Sequence, residues 1–352
     1  MSEETTAVAD NTPILVGAGQ AAGHTPDNQS PMQFAAQAAQ RAVEDCGAGA
    51  VTTAIDTIAV VRLFSDSPGG WSNDHARCDN PPESVARAIG ATPKHRIYTP
   101  IGGNIPMSLV IEFARDIALG ERDTVLIAGG EALRNQKQIL RASEVPQWAE
   151  TLDTPMDERP AVDSRLVTWQ ELAAGPPMPM HLYTYIEQAR RHKQGLDQAD
   201  YKRGMAELLL KFNAVAQNND YAQFADDHSV ESLLEANTLT HLYTSRMVAQ
   251  DNVNQAAALL LTSVGRAREL GIPEKRWVFL HGAAEGEDLV LSEREDLSES
   301  PMAGMVARRA LDIAGLDAGD ICAWDIYSCF PCAVTAITDA LGLPTDGSVP
   351  LT

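Results

Sequence analysis

Two short stretches of the sequence place reactive or polar residues at the start of a predicted helix. In the first, Gly102, Gly103 and Asn104 precede apolar residues at i, i+3 and i+4 spacing, which is typical of an amphipathic helix. Free backbone N–H groups and the positive end of the helix dipole collect at such a point, where an anion or an oxyanion is stabilised. Asn104 is not a nucleophile, so the loop is suited to binding a carbonyl group.

The second stretch contains Cys329 and Cys332, separated by two residues. It follows a short predicted strand and, with Pro331, opens a predicted helix, where a thiolate is stabilised, so Cys329 is the best candidate nucleophile. The alternatives are two small residues buried at a sheet–helix corner and, although the surrounding pattern is not thioredoxin-like, a redox pair. No histidine lies nearby in sequence, so we expect no bound metal. Cys46 and Cys322 are expected in the core.

The elements around the Gly102–Asn104 loop form a strand–loop–helix–strand unit. An apolar run at 97–98 leads into the loop, the helix ends at Gly120, and residues 124–128 are typical of a fully buried strand. Such a unit requires a right-handed crossover in a parallel sheet. The sequence therefore predicts an α/β fold.

Upstream of this unit, the patterns predict strands at 14–16 and 55–61 and helices at 31–46 and 81–89. Residues 17–22 match the G-x-G-x-x-A form of a dinucleotide-binding fingerprint. The residues that follow them are typical of a loop rather than of a helix, so an ordinary tight turn is the better interpretation.

Residues 134–242 have a different character, because prolines interrupt them and strand patterns are absent. We predict a helical and irregular insertion with helices at 182–194 and 198–215. After it, residues 254–263 favour a buried strand, and residues 277–280 favour another.

The sequence also repeats itself over a distance far too large for a solenoid. Ser300-Pro301-Met302 repeats Ser30-Pro31-Met32, and each triplet opens a predicted helix that ends at a glycine. This predicts two copies of one α/β half, with the insertion in the first. Residues 349–352 match 97–100, so we expect the second half to be incomplete, with an unpaired sheet edge and low stability or obligate association.

Composition and charge argue against several classes of protein, namely nucleic-acid-binding, membrane-spanning and disulfide-rich secreted proteins. The formal net charge of −21 argues against nucleic-acid and anionic-membrane partners. No apolar run approaches the roughly 20 residues that span a bilayer, and the first residues do not resemble a signal peptide. Five cysteines, an odd number, do not suggest a disulfide framework, so we expect a cytoplasmic protein.

The chain resembles the thiolase superfamily, in particular the sterol-carrier-protein-linked thiolases and thiolase-like acetyl-CoA acetyltransferases. The resemblance covers essentially the whole chain and is carried by residues 13–17, 102–104, 124–131, 243–248, 252–258 and 325–330. It implies a duplicated αβαβα layered fold with a loop domain inserted in the first half. It also implies acyl transfer to and from coenzyme A in lipid metabolism, with acyl-CoA as a substrate rather than a permanently bound cofactor.

The resemblance divides the chain into four parts. Residues 1–133 begin the N-terminal half, 134–242 form the loop domain, 243–272 complete the N-terminal half, and 273–352 form a truncated C-terminal half.

At the catalytic positions, however, the sequence departs from the family. A thiolase carries the acyl group on a cysteine at the start of the first-half helix, while a histidine and a second cysteine handle protons. The nucleophile position falls at Asn104, within one residue, and Tyr327 replaces the usual Asn or His of the second-half loop. The histidine and second cysteine would lie beyond Thr352. Asn104 cannot form a thioester, although it can bind and orient a carbonyl group. The candidate catalytic residues are Cys329, Asn104 and Tyr327.

The resemblance also suggests residues that contact coenzyme A, namely Gly102, Gly103, His181, Asp251 and Asn254. His181 lies in the insertion, which faces the pantetheine and the nucleotide in related enzymes. Asp251 and Asn254 lie where related proteins line the pantetheine tunnel. A surface or packing role for His181, and turn or capping roles for the other two, remain open.

Two functions follow from these expectations. The chain is either an acyltransferase-like enzyme acting on acyl-CoA, or a non-catalytic acyl-CoA-binding or scaffold subunit whose site a partner chain completes. A homodimer is a further possibility, since many thiolases dimerise.

Overall fold

The computed structural model describes residues 8–67, 77–162, 167–175, 178–326 and 328–352. The chain divides into two compact units. Unit 1 comprises Met1–Asp163 and Asp251–Leu280, and unit 2 comprises Ser164–Gln250 and His281–Thr352. The four-part division expected from the sequence stays a prediction.

A seven-stranded mixed sheet lies in unit 1. Its strands are β1 (Pro13–Ala22), β2 (Thr57–Val60), β3 (His95–Tyr98), β4 (Thr124–Ala132), β5 (Asp157–Glu158), β6 (Asn254–Ser263) and β7 (Val278–Phe279). They are arranged in the order β5-β3-β2-β4-β6-β1-β7. The predicted parallel arrangement is confirmed for β2 with β3 and β4. β6 instead pairs antiparallel with β1 and β4, and β7 pairs antiparallel with β1.

Twelve α-helices are formed by the described residues. They are α1 (Pro31–Cys46), α2 (Val51–Ala54), α3 (Pro81–Ile89), α4 (Ile105–Ala118), α5 (Leu133–Arg141), α6 (Trp169–Ala174), α7 (Pro179–Gln194), α8 (Gln198–Ala216), α9 (Val230–Leu234), α10 (Val264–Glu269), α11 (Pro301–Ala314) and α12 (Pro331–Leu341). The helices predicted at 31–46 and 81–89, and both helices of the insertion, are confirmed. Within the described ranges, no helix is long and apolar enough to cross a membrane.

Local sequence explains where α1 begins and ends. Ser30 accepts the Gln33 N–H at 3.1 Å, and the Gln33 side chain accepts the Ser30 N–H at 2.8 Å, which forms a capping box. At the other end, Gly47 has a φ of 75°, a left-handed conformation that favours glycine.

Helices bury both faces of the unit 1 sheet. Along β4, Leu126 and Ala128 belong to the core cluster that contains α1 and α3, while Val125 and Ile127 belong to the cluster that contains α4. Because both faces are buried, the strand is apolar at consecutive positions, as the sequence predicted.

The prediction of a short first strand followed by a tight turn is wrong. β1 runs unbroken from Pro13 to Ala22, with a register shift between Leu15 and Gly17. A Cβ atom at Gly17 would lie 2.3 Å from the Ala42 carbonyl oxygen, and one at Gly19 would lie 2.1 Å from that of Ala38. These glycines therefore let α1 lie directly on the strand and do not form a nucleotide-binding turn.

Unit 2 is built mainly from helices. Its largest core cluster contains Tyr201 and Met205 of α8, Cys332 of α12, and Tyr243 and Phe330 from segments outside the helices, and partly buried side chains of α7 pack against it. α11 packs on α12.

The duplication predicted from the sequence is also seen in a glycine–helix contact that occurs in both halves of the chain. A Cβ atom at Gly282 would lie 2.1 Å from the Ala310 carbonyl oxygen on α11, as one at Gly17 would meet α1. The expected second-half strand at 325–327 does not form at 325 and 326, and Tyr327 lies outside the described residues. The Ile326 N–H still donates to the Leu351 carbonyl at 2.9 Å.

A pair of extended segments is marginal without a third strand. The described residues of unit 2 place none beside 325–326, which explains why the expected strand is absent. Cys322, expected in the core, is exposed, whereas Cys46 is buried as expected.

Replacement of Gly19 by alanine tests the contact between β1 and α1. We expect Gly19→Ala to lower the free energy of unfolding by about 2–3 kcal/mol, because its Cβ would overlap the backbone of α1. Gly49→Ala is the matched control, since a Cβ there meets no atom within 4 Å. Denaturant unfolding monitored by circular dichroism measures both variants, and equal stabilities would contradict the close approach.

Candidate functional site

The loop between β3 and α4 in unit 1 is the first candidate site. Asn104 is the N-cap residue of α4, but its side chain makes no capping hydrogen bond. In the described part of the chain, the N–H groups of Gly103 and Asn104 have no hydrogen-bond acceptor, and both residues are exposed. A Cβ atom at Gly102 would lie 2.6 Å from Asn104 Oδ1, so the Asn104 side chain lies over that glycine.

This geometry can bind an anion or a polarised carbonyl oxygen. The two N–H groups and the start of a fourteen-residue helix supply positive electrostatic potential at one exposed point. Gly102, Gly103 and Asn104 form the turn immediately before α4, and their contact with coenzyme A stays a prediction.

Asp251 and Asn254 lie elsewhere in unit 1, beside α5. Asp251 forms an ion pair with Lys137 at 2.8 Å. Asn254 is fully buried; its amide donates to Asn135 Oδ1 at 2.8 Å, and its own Oδ1 accepts the Asn135 N–H at 3.1 Å. Asn254 thus caps the first turn of α5, which is the capping alternative considered from the sequence. Their contact with coenzyme A stays a prediction.

In unit 2, Cys332 is the second residue of α12 and Cys329 lies two residues before the helix, where a glutamate side chain from α7 already lies. Glu187, on α7, accepts the Cys332 backbone N–H at 2.9 Å and the Tyr243 hydroxyl at 3.0 Å, and also the Tyr201 hydroxyl. Burial raises the pKa of Glu187, and the three donors oppose that shift. The hydrogen-bond acceptor at this helix N-terminus is therefore an internal side chain.

The two thiols differ in their surroundings. Cys332 is buried, and burial together with the Glu187 carboxylate raises its pKa far above the ordinary value, so it is a poor nucleophile. Cys329 is half-buried, and its carbonyl accepts the Ala249 N–H at 3.0 Å. Between the two cysteines, Phe330 stacks on Tyr183 at a centroid distance of 4.1 Å.

His181 lies in the first turn of α7. Its backbone N–H donates to the Met178 carbonyl at 2.9 Å, and its buried Nδ1 has no hydrogen-bond partner among the described residues. Tyr327, the remaining candidate, lies outside the described residues. The described residues contain no group of three or more His, Cys, Asp or Glu side chains that could hold a metal ion.

Sequence reasoning missed Glu187. Its signal is its position on α7, three residues after Thr184 and three before Arg190, all of which are buried. A buried polar stripe at helical spacing indicates internal partners, but the sequence does not say which residues they are.

A second carboxylate, to which the sequence assigned no role, is Glu131 at the end of β4. It accepts the Phe64 N–H at 2.8 Å. Burial, assisted by the nearby Asp66 carboxylate, raises its pKa to about 7.

One solved structure that resembles this chain decides its family. The monomeric SCP2-thiolase-like protein type 1 of Mycobacterium smegmatis is 38% identical, with a TM-score of 0.76 over 98% of this chain and 66% of that one. This chain belongs to the thiolase superfamily. It spans somewhat less than two thirds of the length of that relative.

Two further solved structures, of lower sequence identity, show similarity in the fold alone. The Ltp2-ChsH2(DUF35) aldolase is 17% identical, with a TM-score of 0.67 over 97% of this chain and 79% of that one. Human mitochondrial 3-ketoacyl-CoA thiolase is 12% identical, with a TM-score of 0.62 over 97% of this chain and 87% of that one. No protein-family model and no curated protein sequence matches the chain.

The raised pKa of Glu131 predicts how the stability of this thiolase-like chain depends on pH. Its pKa is about 7 in the folded chain, against 4.5 for a free side chain. The folded chain therefore retains a proton that the unfolded chain loses, so this group destabilises the fold as pH rises between those values.

Glu131→Gln mimics the protonated side chain and can still accept the Phe64 N–H. We expect the stability of the variant relative to the parent to increase by about 2–3 kcal/mol between pH 4 and pH 8. Denaturant titrations at both pH values test this, with the exposed Glu121→Gln as the control. If the free energies of unfolding of the parent and of Glu131→Gln changed equally between the two pH values, the raised pKa of Glu131 would be contradicted.

Proposed function

We propose that this chain binds acyl-CoA at the start of α4, with the thioester carbonyl accepting hydrogen bonds from the Gly103 and Asn104 N–H groups, and forms no covalent acyl intermediate there. The single observation that carries the proposal is the presence of Asn104 at the start of this helix, where no described residue accepts the Gly103 and Asn104 N–H groups. Backbone donors at such a point stabilise negative charge on oxygen, whether or not a thiol is nearby. An amide side chain cannot become a thioester.

The shared superfamily supports acyl-CoA as the ligand class. The human relative named above is a 3-ketoacyl-CoA thiolase. Cys329 remains the alternative nucleophile for an acyltransferase, because it is half-buried at the start of α12, whereas Cys332 is disfavoured by its raised pKa.

A partner chain that completes the site is the second part of the proposal. One structural neighbour, the Ltp2-ChsH2(DUF35) aldolase, combines two named components, which supports the expectation of a partner subunit. We also propose a cytoplasmic location, supported by the absence of disulfides among the five cysteines, all of which are described.

Isothermal titration with acetyl-CoA tests the binding proposal. We expect Asn104→Asp to weaken binding about ten-fold or more, because a carboxylate repels the carbonyl oxygen and competes for the helix N–H groups. Asn28→Asp is the control, since it adds the same charge at another exposed asparagine of unit 1. Equal weakening by both variants would indicate a general charge effect and contradict a site at Asn104.

Intact-mass spectrometry after incubation with acetyl-CoA separates binding from acyl transfer. We expect no acetyl adduct on the parent chain. An adduct that is lost in Cys329→Ala would identify an acyltransferase that uses Cys329. Absence of any acetyl-CoA binding by the parent chain would overturn the proposal.

A further inference from the structure

The Gly102–Asn104 loop contains few restraints of its own. Two of its three residues are glycines, which lose the most conformational freedom when they are ordered. The Asn104 side chain does not cap α4. A loop of this kind binds a ligand well only if neighbouring groups hold it in position beforehand.

Residues 157–161, which we call the strap, hold the residue that enters the loop. β5, within the strap, pairs parallel with β3 at Ile97 and Tyr98. The Arg159 N–H donates to the Tyr98 carbonyl, and the Ile101 N–H donates to the Ala161 carbonyl, both at 2.9 Å. The hydrogen bonds therefore continue beyond the strand to the residue immediately before Gly102.

The strap also contacts the helix that leaves the loop. Arg159 donates two hydrogen bonds to the Glu112 carboxylate, at 2.9 and 2.6 Å. Glu112 lies on α4, about 10 Å along the helix axis from its first residue. Two parallel hydrogen bonds fix the orientation as well as the distance of such a pair. One short segment thus fixes both ends of the loop.

Arg62 attaches the strap to the sheet. Its side chain is only 3% exposed, and its guanidinium donates to Glu158 Oε1 at 3.1 Å and to the Arg159 carbonyl at 2.9 Å. It also donates to the Thr99 carbonyl at 3.1 Å. Because a buried cation is costly without partners, these bonds disfavour detachment of the strap.

We propose that the strap positions the Gly102–Asn104 loop for its ligand, with Arg159 as the positioning residue. The ligand part of this inference rests on the proposed binding of acyl-CoA. The mechanical part, that the strap holds the loop, does not.

Amide hydrogen exchange tests the mechanical part without any ligand. In Arg159→Gln we expect exchange of the Ile101 amide, which bonds to the strap, to accelerate about five-fold or more. The Thr99 amide should keep its rate, because it donates to the Val60 carbonyl at 3.0 Å and not to the strap. Unchanged exchange at Ile101, or equal acceleration at both amides, would overturn the inference.

Acetyl-CoA titration tests the ligand part. We expect Arg159→Gln and Glu112→Gln to weaken binding about five-fold or more, and Arg159→Lys, which keeps the charge and one hydrogen bond, to recover part of the loss. Arg115→Gln is the control, because it removes the same charge from an exposed side chain of α4 that pairs with Asp116.

The outcomes of the two experiments are distinct. Faster Ile101 exchange with undiminished affinity would overturn positioning. No acetyl-CoA binding by the parent chain would overturn the proposed function and the ligand part together, while the exchange result would still decide whether the strap holds the loop. If Arg159→Gln does not fold, Glu112→Gln provides both measurements.

Discussion

Burial of β4 between helices on both faces of the sheet is the constraint on which the rest of unit 1 depends. Alternate residues of the strand pack toward α1 and toward α4, so neither helix can shift without exposing apolar surface. Because α4 is fixed against one face, its N-terminus is held at the end of β3, next to the glycine loop. The electrostatic character of the candidate site is therefore a consequence of core packing.

Two helix N-termini in this chain differ in how their free N–H groups and positive potential are satisfied. At α12, the buried Glu187 carboxylate occupies the position, and the adjacent Cys332 remains a neutral thiol. At α4, two N–H groups remain without acceptors in the described structure, and the first side chain is an amide. The sequence suggested Cys329 as a nucleophile because a helix N-terminus stabilises a thiolate, but at α12 the Glu187 carboxyl group of another helix already accepts the Cys332 N–H.

Much of the fold was predictable because the residues that begin and end helices, and the apolar run that forms a buried strand, act on their immediate neighbours in sequence. Ser30 with Pro31, the glycines that end α1 and α3, and the apolar run of β4 all act within a few residues. The length of β1 was missed because Gly17 and Gly19 resemble turn residues, and only the contact with α1 explains them.

The site was predictable only in part. Asn104 follows from the loop and its helix, but the strap contacts and the partners of Glu187 join residues far apart in sequence. Arg159 meets Glu112 across 47 positions, and Glu187 meets Cys332 across 145. The most direct test of the account is a crystal structure of the chain with acetyl-CoA. We predict the thioester oxygen within hydrogen-bonding distance of the Gly103 and Asn104 N–H groups, whereas an acetyl group bonded to Cys329, or coenzyme A bound away from α4, would contradict it.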